Sequence, residues 1–284
     1  MNPETELRTP FEVNQAGIRI RGETVGADRP IVLLHGITAS RKYVIHGSRH
    51  LPREGFQTIL YDARGHGESD PAPAGAYTYD ALAADLLGVL DATDRGERPV
   101  LAGHSMGAHT VVRLALAQPQ RIAGIVVIGP SYAGAAPLPD AVREWDELAD
   151  GLENAGIEGF LAAYERGGLD SEWRDTLLRI TRERLAIHRH PDAVAQAMRE
   201  VPRSAPFGSL DDLELLEVPA LVVGSHDRAD PGHPLSVAEA YAERLPNARL
   251  ISEGEGESPL AWQGGRLSRA IAEFCGEPQV TKRW

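Results

Sequence analysis

Short, continuous apolar runs recur along the chain and alternate with stretches in which apolar residues follow helical spacing. Such runs are typical of strands buried on both faces of a parallel sheet, and the periodic stretches are typical of helices that cover it. The pattern predicts strands at 30–34, 56–61, from 100, 122–128, 219–224 and 249–251, with helices at about 40–53, 79–90, 108–118 and 265–275. Residues 11–24 alternate loosely and contain two glycines, which predicts a strand pair joined by a turn. The whole order predicts an α/β fold with a mostly parallel sheet.

Residues 130 to about 217 interrupt this alternation. Strand-like runs are absent there, and helical patterns that contain Trp145, Phe160, Trp173 and Met198 replace them. Because strands return at residue 219, we interpret the block as a helical cap inserted between two strands of one sheet. The predicted division is a core of residues 1–130 and 218–284 and a cap of residues 131–217.

The motif that organises the chemistry is Gly103-His104-Ser105-Met106-Gly107, a G-x-S-x-G pentapeptide with an apolar run before it and a helical pattern after it. That context is typical of a nucleophile elbow, in which a serine stands on a tight strand-to-helix turn. The glycines are needed because side chains at 103 and 107 would clash with neighbouring backbone, and the turn is strained at the serine. With these features the chain resembles the α/β-hydrolase family over nearly its whole length.

The resemblance implies roles for several further residues. His35-Gly36 follows a buried strand and looks like the family's oxyanion loop, in which the N–H of Ile37 pairs with that of Met106. The stretch 62–69 is similar to the family's D-x-R-G-x-G-x-S loop, which is taken as structural. In hydrolases of this fold the acid follows the serine in the chain and the histidine comes last. Asp227 stands at the acid position, with Asp230 as the alternative that caps the next turn.

The expected catalytic histidine is missing from the loop before the last helix. That loop reads EGEGESPLAW, and Glu257 stands where relatives carry histidine. In one hypothesis Glu257 is the base of a Ser105–Glu257–Asp227 triad, which resembles the acid triad of sedolisin proteases on an unrelated fold. A free glutamate with a pKa of about 4.3 is a weak base, but repulsion from Asp227 in an enclosed pocket would raise one pKa of the pair.

A histidine from elsewhere in the chain can act as the base instead, and the sequence leaves this open. His233 is the favoured alternative over His188 and His190 in the cap and over His104 and His109 near the serine. His104 is expected to point away from the nucleophile. A third hypothesis is that hydrolysis has been lost or replaced, leaving a small-molecule binder or a lyase- or cyclase-type enzyme. The favoured hypothesis is a serine hydrolase that acts on an ester or similar acyl small molecule through a Ser105 acyl-enzyme.

Composition and charge restrict the possible partners, the cellular compartment and the cofactors. The 284 residues carry a formal net charge of −12, which argues against a nucleic-acid or anionic membrane surface. One cysteine, Cys275, fits a reducing compartment, and the polar, acidic start lacks the features of a signal peptide, so we expect a cytoplasmic protein. No apolar run approaches the length of a membrane span. No cofactor or metal is expected, because phosphate-binding glycine loops and metal-ligand spacings are missing from the sequence, and a homo-oligomer is compatible with it.

Overall fold

The sheet of the computed structural model, which describes residues 8–226 and 229–284, contains eight strands. They are β1 Arg8–Gln15, β2 Ile18–Val25, β3 Arg29–Leu34, β4 Phe56–Tyr61, β5 Val100–His104, β6 Gly124–Ile128, β7 Ala220–Val223 and β8 Ala248–Ile251. Their order across the sheet is β1-β2-β4-β3-β5-β6-β7-β8. The pairs β1–β2 and β2–β4 are antiparallel and the others are parallel. The mostly parallel sheet predicted from the apolar runs is confirmed.

The central strands are buried on both faces, which explains why their sequences are continuously apolar. In β3, Ile31 and Leu33 pack into one hydrophobic cluster, whereas Val32 and Leu34 pack into another on the opposite face. Successive side chains of a strand point to opposite faces, so both clusters need cover from helices. The sheet therefore forms the middle layer of three.

Helices cover the two faces. They are α1 His50–Arg53, α2 Tyr79–Thr93, α3 Met106–Ala117, α4 Pro139–Arg166, α5 Arg174–Leu185, α6 Pro191–Glu200, α7 Leu235–Arg244, α8 Gly264–Cys275 and α9 Pro278–Thr281. Apolar residues of α2, α3 and α7 contribute to the cluster on one face, and those of α1, α8 and α9 to the cluster on the other. Within the described part of the chain, no helix combines the length and apolar character that crossing a membrane requires.

The helix predicted at residues 40–53 is wrong. The structure has a 3₁₀ turn at Arg41–Tyr43 and only the single turn of α1 at the end of the stretch. His46 and Gly47 between them adopt positive φ angles of 47° and 71°. Left-handed residues cannot continue the i→i−4 hydrogen bonds of a right-handed helix. The stretch therefore forms two short turns instead of one helix, although its apolar residues have helical spacing.

Helices α4, α5 and α6 lie between β6 and β7, in the stretch interpreted as a cap. Helix α4 is kinked at Gly156, whose φ is 61°. The buried apolar residues of the three helices form a cluster that also contains Ile37 and Met106. These helices thus pack over the carboxyl ends of β3 and β5. The division into core and cap stays a prediction, and "cap" below denotes residues 131–217.

Candidate active site

Ser105 occupies the strained turn that the motif predicts. Its φ of 53° and ψ of −115° lie in a region that side-chain-bearing residues rarely adopt, between β5 and α3. A Cβ on Gly103 would lie 2.2 Å from the Gly107 carbonyl oxygen, and one on Gly107 would lie 2.5 Å from that of Leu34. Both glycines are therefore required for the close approach of β3, β5 and α3. The result places the serine at the positive end of a helix.

The oxyanion loop lies against this turn. A Cβ on Gly36 would come within 3.4 Å of Ser105 Cβ, so the two backbones are in contact. Ser105 N–H donates to the Ile128 carbonyl at 2.9 Å. Among the loop and turn hydrogen bonds of the described residues, none is donated by the backbone N–H of Ile37 or of Met106. Two free amide donors beside a serine are what an oxyanion needs. The structure brings these three predicted site residues together.

The loop after β7 carries a histidine–carboxylate pair. His233 Nδ1–H donates to Asp230 Oδ1 at 2.7 Å, which leaves Nε2 as the ring nitrogen that is not engaged with this carboxylate. Burial alone would raise the pKa of Asp230, but His233, His104 and Arg184 outweigh it and lower that pKa. Asp230 thus orients an imidazole as well as accepting the backbone N–H of His233 in a turn. Asp227, the predicted acid, lies outside the described residues.

His233 lies close to the elbow. A Cβ on Gly129 would meet its Cγ at 3.2 Å and His104 Nε2 at 3.4 Å, and Gly129 directly follows the residue that accepts the Ser105 N–H. The ring centroids of His233 and His104 are 5.1 Å apart. No described side chain is hydrogen-bonded to the Ser105 hydroxyl. The pair therefore lies beside the nucleophile without contacting it in this state.

Glu257 is exposed in the loop after β8 and is bound to other residues of that region. Its carboxylate forms an ion pair with Arg266 at 2.7 Å, accepts the Gly254 N–H at 3.2 Å, and is about half exposed. The Arg266 guanidinium lowers the pKa of Glu257, which makes it a weaker base still. The structure therefore does not bring Glu257 to Ser105. Glu253 is the buried acid of the loop: its carboxylate accepts the Ser225 hydroxyl at 2.9 Å and the Leu260 N–H at 3.0 Å, joining the loops after β7 and β8.

The remaining histidines weighed as bases have separate environments. His109 accepts two backbone N–H groups at 3.1 Å and contacts the Tyr79 hydroxyl, so it fastens α3 to the loop after β6. His188 is buried and forms hydrogen bonds with Gly67 and Thr38, which lie in loops of the core, whereas His190 is exposed. His104 lines the cavity beside the oxyanion loop, because β5 alternation directs Gly103 toward α3 and His104 to the opposite side. Burial beside His233 lowers the pKa of His104 to about 3.

A half-buried arginine lies at the same cavity. Arg184, at the end of α5, lines a space of about 10 Å³ together with Gly36, His104 and Trp262. Its Nε is buried without a hydrogen-bond partner, and over the described ranges no carboxylate forms an ion pair with it. Burial lowers the pKa of Arg184, with Asp230 as the main opposing charge. Cationic groups left without a partner beside an oxyanion loop are suited to bind an anionic part of a ligand.

One group of side chains in the described part also has the composition of a metal site. Donor atoms of His104, Asp230 and His233 lie within 4.8 Å of one another. The short His233–Asp230 hydrogen bond already occupies one atom of each, and the Arg184 cation next to Asp230 opposes a second cation. These contacts favour a hydrogen-bonded pair over a metal centre.

Comparison with known proteins settles the family. The model of the α/β hydrolase fold matches residues 29–263. The chain belongs to the α/β-hydrolase fold family. It is 32% identical to the 2-hydroxy-6-oxononadienedioate/2-hydroxy-6-oxononatrienedioate hydrolase 2 of Pseudomonas putida, over 71% of this chain and 72% of the relative.

Solved structures share the same α/β-hydrolase fold. A thermophilic esterase from Thermogutta terrifontis superposes with a TM-score of 0.76 at 24% identity, over 94% of this chain and 97% of the esterase. The enol-lactonase of Burkholderia xenovorans LB400 gives a TM-score of 0.75 at 21% identity, over 94% of this chain and 100% of the lactonase. At these identities the likeness shows the fold alone. The family and the curated relative indicate a hydrolase that acts on a small molecule.

Sequence reasoning missed three features of this α/β hydrolase. Arg184 sits in a helical stretch whose sequence gives no sign of which side faces the core. The role of Glu253 was hidden within an acidic run that has a simpler interpretation as a solvated loop. The Asp230–His233 pair had a usable signal, because a carboxylate three residues before a histidine in a proline-rich turn can fold back onto it.

Proposed function

We propose that this α/β hydrolase cleaves a small acyl compound through an acyl-enzyme on Ser105. The observation that carries the proposal is the strained elbow itself, with the free N–H groups of Ile37 and Met106 beside it. A binding protein has no need of a serine held at positive φ in contact with two unpaired amide donors. Ser105 Oγ attacks the substrate carbonyl carbon, and the two N–H groups stabilise the resulting oxyanion.

His233 is the base that best fits this chemistry, with Asp230 as its orienting acid. A neutral imidazole whose Nδ1–H is held by a carboxylate presents Nε2 as the proton acceptor. The proton from Ser105 passes to Nε2 and then to the leaving group, after which water enters and releases the acid from the acyl-enzyme. The His233 side chain or the elbow must move for Nε2 to reach Ser105 Oγ, and catalytic hydrogen bonds often form only when ligand binds. Glu257 is the less suitable group because Arg266 already binds its carboxylate.

Arg184 supports a substrate that carries a carboxylate. A guanidinium whose buried Nε has no hydrogen-bond partner gains most from a planar anion that it can bind through two parallel hydrogen bonds. The curated relative of Pseudomonas putida is named for a dienedioate, a compound with two carboxylates. The cavity of about 10 Å³ holds about one water molecule, so such a substrate requires the cap to move away from the elbow.

A fluorophosphonate probe tests the proposed nucleophile directly. We expect one covalent label per chain on the native protein, detected by intact-mass spectrometry, and none on Ser105→Ala. Thr110, a buried hydroxyl one turn further along α3 that donates to the Met106 carbonyl, provides a control: Thr110→Ala should still be labelled. If the native protein is not labelled, the acyl-enzyme mechanism is wrong, and a binding protein or a non-hydrolytic enzyme is favoured.

Replacing Arg184 tests the substrate class. In Arg184→Gln we expect KM for a nitrophenyl hemisuccinate to rise by about 10- to 100-fold, because a charged hydrogen bond of about 1.5–3 kcal/mol is lost. The neutral nitrophenyl butyrate should change less than about threefold. Arg182→Gln is the matched control, since Arg182 lies on the same helix, is exposed, and pairs with Glu158 at the surface. Equal effects on both esters would show that Arg184 is structural.

A further inference from the structure

Three imidazole rings hold the carbonyl groups of the oxyanion loop. His35 Nδ1 is 2.8 Å from the Gly36 oxygen, His66 Nε2 is 2.8 Å from that of Ile37, and His188 Nε2 is 3.2 Å from that of Thr38. Because each peptide unit is planar, the Gly36 carbonyl fixes the Ile37 N–H, and the Thr38 carbonyl fixes the Ala39 N–H. The Ala39 N–H in turn donates to the Gly36 carbonyl at 3.0 Å, so the contact at Thr38 is linked to the Ile37 N–H through this turn. The direction of the Ile37 N–H is therefore set by these contacts.

His188 differs from the other two because it belongs to the cap. Its Nδ1 accepts the Gly67 N–H at 2.9 Å, so the single proton of the neutral ring is on Nε2 and donates to Thr38. The next residue strengthens the contact, since Arg189 N–H donates to the Gly67 carbonyl at 3.0 Å. This is a direct polar connection between cap and oxyanion loop.

The same segment reaches the cavity four residues earlier. The Arg184 side chain lines the cavity together with Gly36 and His104. Leu185, which lies between Arg184 and His188 in the chain, is buried in the apolar cluster of the cap. One short piece of chain therefore touches the cavity at one end and the oxyanion loop at the other. The His188 N–H donates to the Leu185 carbonyl at 3.4 Å, so a single turn at the end of α5 joins the two contacts.

We propose that segment 184–188 couples binding of the substrate carboxylate to the geometry of the oxyanion hole, with His188 as a positioning residue. The inference rests on the proposed function of this site. When an anion draws Arg184 into place, His188 is held against Thr38 and the Ile37 N–H points at the reacting carbonyl. When the anion is missing, the cap segment is free to leave and the oxyanion loop loses one of its three supports.

Two conservative variants separate the two hydrogen bonds of His188. In His188→Gln the amide nitrogen takes the place of Nε2 and keeps the donor to Thr38, whereas in His188→Asn the amide oxygen takes the place of Nδ1 and keeps only the acceptor for Gly67. We expect kcat for the hemisuccinate ester to fall about tenfold in the Asn variant with KM little changed, and to stay within about twofold in the Gln variant. His190→Gln, exposed in the same loop, is the control.

A measurement that needs no turnover separates this inference from the proposed function. Hydrogen exchange of the peptide that contains residues 36–39 is followed in Ser105→Ala with and without succinate as the probe. We expect succinate to slow exchange there about tenfold, and Arg184→Gln or His188→Asn to abolish that protection. Protection without activity would overturn only the hydrolase proposal. Equal kcat in the Asn and Gln variants, or exchange that does not respond to succinate, would overturn the coupling.

Discussion

Alanine at His233 is expected to lower kcat about 10³- to 10⁴-fold, close to the effect of Ser105→Ala, whereas Glu257→Gln changes it less than about twofold. The reason is that, among the described residues, this imidazole is the one that is both oriented by a carboxylate and close to the elbow. Removing a member of a catalytic group that acts as a unit costs nearly as much as removing the nucleophile. Initial rates on a nitrophenyl ester at pH 8 provide the measurement.

Controls in the same loop make the result specific. His226→Ala removes an exposed histidine from the loop that carries His233 and should leave kcat unchanged. Asp230→Asn and Asp227→Asn compare the acid seen beside His233 with the acid that the family pattern predicts; we expect the larger loss from Asp230→Asn. If Glu257→Gln abolishes turnover while His233→Ala retains it, His233 is not the base, and the Ser105–Glu257–Asp227 triad becomes the better mechanism.

The parts of the site that lie within one motif could be predicted from sequence. Ser105 and its glycines follow from a strand, a tight turn and a helix that are adjacent in the chain, and the order of buried apolar runs predicts the parallel sheet around them. The elbow is set by local backbone geometry, and the sheet can be predicted because strands buried on both faces are continuously apolar. The failure at residues 40–53 has the opposite cause, since two left-handed residues in an otherwise helical pattern decide the outcome.

Contacts between distant parts of the chain could not be predicted. His188 and Thr38 are 150 residues apart, and nothing in either local sequence indicates the other. Glu257 matches the position of the family's histidine, but its side-chain direction is set by Arg266 at the start of the next helix. Position in a pattern fixes the backbone environment of a residue; which neighbour its side chain reaches depends on the charges that packing brings close.

Acidification is expected to unfold the protein at a mildly acidic pH, because several histidines are buried in the neutral form. Burial lowers the pKa of His104, His109 and His188 to about 3 each, and also lowers those of His35 and His66, from an ordinary value of 6.5. Between about pH 6.5 and 3 the unfolded chain therefore binds protons that the folded chain does not. Stability is complete above pH 6.5 and falls as pH is lowered through that window.

The size of this effect follows from the number of groups. Each fully shifted histidine contributes about 1.4 kcal/mol per pH unit, so the three whose pKa is about 3 together remove about 4 kcal/mol per unit. For a domain with a total stability of about 5–15 kcal/mol, unfolding is expected between about pH 4 and 5. Urea titrations from pH 8 to 5 measure the slope, which should correspond at its low-pH end to at least three protons taken up on unfolding. His188→Gln should lower it by about one proton and His190→Gln should leave it unchanged; a slope below one proton in the native protein would show that these histidines become protonated without unfolding.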